Sequence, residues 1–162
     1  MSNSGMKAAI EYGDILRSFK DLSEAEDFFY TYKDIILKNL ESICIKNALY
    51  TADYSVDSLT KIEKWYFDLY EKKEFSKIGI TQETFEKMMG VYYGEVAVRN
   101  NAEARWVVRE FPFSKGKYEL LIKKGLMSMS VIEKCNNLCT SQGNKRKNHL
   151  FRDYNKYVNR PS

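Results

Sequence analysis

The chain has 162 residues, 44% hydrophobic and 30% charged, with a formal net charge of +4. That is the size and balance of one globular domain, and with 2 prolines and 8 glycines it leaves no room for long flexible linkers. The absence of any stretch of about 18 apolar residues excludes a membrane span, and 3 sparse cysteines fit a reducing compartment better than a disulfide scaffold.

The polar start, Met1 to Lys7, lacks the apolar run of a secretory leader, so the expectation is a cytoplasmic protein with residues 1–6 as a candidate disordered tail. A short helix is expected around Lys7 to Phe19, weakened by Gly13. The first strong element runs from Ser23 to Lys46, where Ser23 and Glu26 read as a capping box. Phe28, Tyr32, Ile35, Ile36, Leu40, Ile43 and Cys44 follow at helical spacing and form its expected core face.

Ala48 to Tyr54 reads as a short strand. A helix follows with Ser55 as N-cap, and Leu59, Ile62, Trp65, Tyr66 and Leu69 on its buried side. The next helix opens at Thr81 and carries Phe85, Met88, Met89, Tyr92 and Val96, with Gly90 and Gly94 one turn apart. Two glycines cost a helix roughly 1 kcal/mol each relative to alanine. They therefore predict a place where this helix backbone lies close against another element. Glu86, Lys87, Glu95 and Arg99 exclude the membrane reading of such a pair.

Ala104 to Phe111, a turn at Pro112 to Gly116, and Tyr118 to Ile122 form a predicted hairpin. Leu126 to Cys139 reads as a strand running into a helix. A last helix is expected over Lys145 to Val158, with Leu150, Phe151, Tyr154, Tyr157 and Val158 on one side. Helices before and after a block of strands predict a single α+β domain, an antiparallel sheet packed by several amphipathic helices.

The stretch Met89-Gly90-Val91-Tyr92-Tyr93-Gly94-Glu95-Val96, followed by Arg105-Trp106-Val107-Val108, resembles small, mostly uncharacterised bacterial cytoplasmic proteins. In these a G-x-Y-x-G-E helix precedes a strand with a tryptophan. Tyr54 to Leu59, with Ile62 and Glu63, is similar to the turn that enters their preceding helix. Some such families are thought to be immunity proteins, so the resemblance implies a domain that binds and neutralises a cognate toxin. Gly90, Gly94, Glu95 and Trp106 carry it.

Glu95 invites an acid–base reading, which would make the chain an enzyme of unknown type. A lone glutamate tied to an arginine or an amide is more often structural, and no second catalytic group stands out. Trp106 reads as core packing. Cys135 and Cys139 with His149 would supply three ligands where a structural zinc site wants four, so no metal is expected. Nor does any phosphate loop or dinucleotide fingerprint point to a cofactor.

Charge is divided along the chain: residues 1–98 carry a net −5 and residues 99–162 a net +9. Lys145, Arg146, Lys147, Arg152, Lys156 and Arg160 lie beside Phe151, Tyr154 and Tyr157, a pattern compatible with single-stranded nucleic acid. No helix-turn-helix, zinc-finger or RNP-type signature accompanies them. An aromatic content of 14%, led by 12 tyrosines, favours protein interfaces instead. The leading expectation is a non-enzymatic protein-binding domain, with nucleic-acid association as the alternative.

Overall fold

The computed structural model of the chain describes residues 10–47, 50–140 and 148–159; the expected tail at 1–6 lies outside them. Its elements are α1 (Leu22–Asn47), α2 (Ser58–Lys72), a 3-10 turn (Phe75–Ile78), α3 (Gln82–Asn100), strands β1 (Ala104–Glu110), β2 (Tyr118–Lys124) and β3 (Met127–Ser130), a second 3-10 turn (Leu138–Thr140), and α4 (His149–Val158). This is the α+β arrangement that the order of elements predicts. Among the described residues no helix is long and apolar enough to cross a membrane.

α3 organises the interior. Thr81 caps it as expected, its side chain accepting the Thr84 N–H at 3.1 Å. From Met88 to Gly94 every residue is buried, so the helix has no solvated side there and lies inside the core rather than on it. α1, α2, β1 and β2 pack around α3, and α4 packs on α2. The predicted face of α2 is buried throughout, from Leu59 to Leu69.

α1 departs from its expected frame. Its capping pair is Asp21 and Glu24, not Ser23 and Glu26: Asp21 Oδ1 accepts the Glu24 N–H at 2.9 Å, and Glu24 Oε2 accepts the Lys20 N–H at 2.7 Å. Ile36, Leu40 and Cys44 are buried as expected, but Phe29 is the deeper of the Phe28–Phe29 pair and Ile35 is 52% exposed. Adjacent apolar residues leave the phase of a helix open by one position, and here Ala25 and Phe29 set it.

Residues 50–54 form no strand. Tyr92 holds this segment from α3: its hydroxyl accepts the Tyr54 N–H at 3.0 Å and pairs with Ser58 Oγ at 2.6 Å. Asn100 Nδ2 donates to the Tyr54 carbonyl at 2.8 Å, and Tyr54 sits at φ 60°. A buried hydroxyl from another element thus takes the backbone group that a sheet would have used.

The sheet is antiparallel in the order β1-β2-β3, with Trp106 opposite Ile122 and Leu121 opposite Ser130. Beyond β3, Ser18 bridges Lys117, so residues 17–19 cover the remaining edge of β2. The expected upstream helix is confined to residues 10–15 among those described. Gly13 packs closely there: a Cβ would lie 2.2 Å from Ser114 Oγ, so that side chain would have to move to admit one. After β3, residues 132–137 are turns and not the expected helix.

Candidate functional site

The glycine pair of α3 marks a seam. A Cβ on Gly90 would lie 2.0 Å from the Val131 carbonyl oxygen, and one on Gly94 would lie 2.3 Å from the Trp106 ring. The indole is fixed in turn: Trp106 Nε1–H donates to Glu95 Oε2 at 2.9 Å, while Arg99 Nε donates to Glu95 Oε1 at 3.1 Å. Lys33 Nζ stands 5.5 Å above the same ring. Both Glu95 oxygens are thereby engaged, which is the arrangement of a structural carboxylate. The tryptophan is half-buried, wedged between the helix and solvent.

The C-terminal basic cluster separates. Arg152 and Lys156 lie exposed, one turn apart, on α4, while Tyr154 and Tyr157 are buried and Phe151 is half-buried. Those two tyrosines have no face free for base stacking. Lys145, Arg146, Lys147 and Arg160 lie outside the described residues. Cys135 is enclosed, its thiol pushed up to about 12 by burial, and Cys139 accepts a hydrogen bond from Gln82 Nε2 at 3.2 Å. Among the described residues no group of His, Cys, Asp or Glu has a metal-binding arrangement.

A third place combines features that the sequence reading did not single out. A cavity of about 240 Å³ opens between the 12–17 segment, α1, α3 and the end of β3. Tyr12, Phe28, Tyr32, Lys87, Glu119 and Glu133 stand on its wall. Phe28 and Tyr32 stack at 5.9 Å, and Arg17 lies over the Phe28 ring at 4.1 Å. Tyr12 packs edge-on to Phe111, and its hydroxyl meets Ser130 Oγ at 3.3 Å. Ile15, at 72% exposed, forms part of the rim.

Glu119 is the unusual member. It is 5% exposed, its Oε2 has no hydrogen-bond partner, and its nearest cation, Arg109, is 3.8 Å from Oε1. Desolvation raises its carboxyl above the usual carboxylate range, with the Arg109 guanidinium pulling the other way. Burial likewise raises the Tyr12 and Tyr32 hydroxyls.

Residues 18–158 match the family described as "Uncharacterised protein YwmA". The chain belongs to the YwmA family. The Uncharacterized protein YwmA of Bacillus subtilis (strain 168) is 28% identical over 139 residues, which cover 85% of this chain and 87% of that relative. No solved structure matches. The YwmA match takes in the α3–Trp106 seam and most of the cavity wall, whereas Tyr12, Ile15, Leu16 and Arg17 precede it.

One signal for Glu119 was present in the chain. Tyr118 to Ile122 is a strand in which a single acid interrupts apolar residues, and all five positions are buried. Period-two reasoning assigns such an acid to the solvated face of a hairpin. Residues 12–17, far away in the chain, line the same cavity as Glu119, and the Lys117 Nζ bond to the Leu16 carbonyl ties that segment to the start of β2.

Proposed function

We propose that the chain is a non-enzymatic, cytoplasmic protein-binding domain, and that its binding surface is the rim and wall of the 12–17/α1 cavity. The observation that carries this reading is one exposed aliphatic side chain, Ile15, and one exposed arginine, Arg17, placed beside two half-buried stacked aromatics, Phe28 and Tyr32. Arginine and aromatic side chains around a depression are the composition of interface anchors. The cavity also falls below the roughly 300 Å³ at which small-molecule sites begin, so it suits one inserted side chain. The engaged state of Glu95 supports the non-enzymatic part.

Neutralisation of a cognate bacterial toxin is the specific role suggested by the resemblance carried on Gly90, Gly94, Glu95 and Trp106. Immunity proteins are encoded beside their toxins, so the test is co-expression with the product of the neighbouring gene. The expected result is a stable complex weakened at least tenfold by Ile15→Asp and by Tyr32→Ala. A complex untouched by both changes, or no complex at all, would remove the reading. The nucleic-acid alternative draws on Arg152 and Lys156, exposed together on α4.

A further inference from the structure

We propose that the cavity is a socket for a single arginine or lysine side chain of the protein partner, whose cationic head pairs with the Glu119 carboxylate. The proposal rests on the protein-binding reading above and specifies the partner's chemistry.

The charged groups around the cavity are unequally committed. Lys87 Nζ is paired with Glu83 at 3.3 Å, Glu133 accepts from Asn136 Nδ2, and the Arg17 guanidinium lies on the Phe28 ring. Glu119 Oε2 has no hydrogen-bond partner, and Oε1 has the long approach of Arg109, whose own side chain is 47% exposed. A buried acceptor without a donor is uncommon in folded proteins and calls for an explanation. Here an incoming donor supplies one, and a cationic donor gains most, because attraction between charges strengthens away from water.

The walls suit the rest of such a side chain. Phe28 and Tyr32 offer a stacked apolar surface for a methylene stem, and Tyr12 adds a third ring to the wall with its hydroxyl held on Ser130. The rim sets a second condition. Arg17 is exposed and Lys87 stands close by, so a run of basic residues would meet like charge around the mouth. The geometry therefore selects an isolated basic residue flanked by acidic or neutral ones, and argues against a polybasic segment.

The test uses the full chain and n-butylguanidinium as probe, with neutral butyramide as its control, followed by amide chemical shifts at fixed ionic strength. The expected result is saturable millimolar binding of the guanidinium, with shifts at Tyr12, Tyr32 and Leu120, at least tenfold weaker in Glu119→Gln and absent for butyramide. Equal binding of both probes by the native chain, or no binding of either, overturns the socket, and this comparison does not depend on the variant folding.

In complexes with the neighbouring gene product, Glu119→Gln is expected to weaken association at least tenfold. If Ile15→Asp abolishes the complex while Glu119→Gln leaves it intact, the protein-binding reading stands and the socket falls. If the guanidinium binds through Glu119 but no complex forms, the cation site stands and the protein-binding reading falls.

Discussion

Two regions of the molecule bury glutamates, and they treat them differently. In the helical half, Glu63 of α2 accepts the His149 N–H at 2.9 Å and the Leu150 N–H at 3.0 Å, while Glu86 of α3 accepts from Tyr66 at 2.5 Å, Gln82 at 3.0 Å and the Asn137 N–H at 3.2 Å. On the hairpin, Glu119 accepts nothing at Oε2. Burial pushes the carboxyls of both Glu63 and Glu119 up, but the Leu150 and His149 amides pull Glu63 back, whereas Glu119 has only Arg109. A buried acid that fastens two elements is part of the architecture. One that fastens none is a cost to stability that folding alone does not explain.

The largest expected effect lies on the satisfied side. α4 begins after Asn148, which is in the left-handed region and makes no side-chain cap, so Glu63 supplies the cap from another helix. Glu63→Ala leaves the amides of His149 and Leu150 without acceptors, at a cost of about 1–3 kcal/mol for each group left buried and unpaired, so about 3 kcal/mol in all. Urea denaturation should show that loss, and hydrogen exchange should show the Leu150 amide opening first. An unchanged midpoint would erase the distinction between the two regions.

Next comes the seam that joins them. Gly90 faces a backbone carbonyl and Gly94 faces the far edge of an indole. A methyl group on Gly90 has to displace the chain at Val131, while one on Gly94 has to displace a ring held by Glu95. Gly90→Ala is expected to cost about 2–3 kcal/mol and Gly94→Leu about 1–3 kcal/mol in denaturation midpoint experiments. Gly94→Leu with an unchanged midpoint would mean that the ring swings aside freely, and the seam would then not be rigid enough to position the hairpin.

This seam was legible because two glycines in a helix are locally unfavourable, so their presence alone predicts a close neighbour. The α2 face was legible for a similar local reason, since Leu59, Ile62, Trp65, Tyr66 and Leu69 recur at helical spacing; on α3 the expected residues are only part of what is buried, because the helix is enclosed on every side from Met88 to Gly94. The α1 frame was not legible, since the Phe28–Phe29 and Ile35–Ile36 doublets fit two registers. Over residues 50–54 the expected strand gave way because Tyr92, far along the chain, takes the Tyr54 amide. Glu119 was hidden by the same kind of distance: whether an acid on an outward-facing strand position is solvated depends on what the chain folds over it.

A smaller effect, of opposite sign, tests the unsatisfied side. Because burial raises the folded-state value of the Glu119 carboxyl, the folded chain holds that proton more tightly than the unfolded chain. The resulting stabilisation is complete below the unfolded value of about 4.3 and is lost as pH rises through the folded value. Glutamine imitates the neutral form at every pH. Glu119→Gln should therefore match the native chain at about pH 4 and exceed it by about 1 kcal/mol near pH 7, read from paired urea midpoints. Destabilisation near pH 7 would reveal that the charged carboxylate already has a partner, and Glu119 would join Glu63.

The smallest expected effect concerns the basic face of α4, the region that competes with the cavity for the functional role. Phosphate binding by Lys145, Arg146 and Lys147 together with Arg152 and Lys156 would make affinity for single strands fall with salt, at a log–log slope near −0.7 per contacted phosphate. Tyr154 and Tyr157 are 4% and 1% exposed, which removes them as stacking platforms, and a charged helix face alone gives only weak, salt-sensitive attraction. Fluorescence anisotropy with single-stranded RNA and DNA is expected to show no binding at about 150 mM salt, before or after charge reversal of Lys145, Arg146 and Lys147. Micromolar binding at that salt, lost on the reversal, would move the functional role from the cavity to the C-terminal segment. Weak binding only at low salt would leave α4 as an ordinary solvated face, with Glu119 the better lead to the partner.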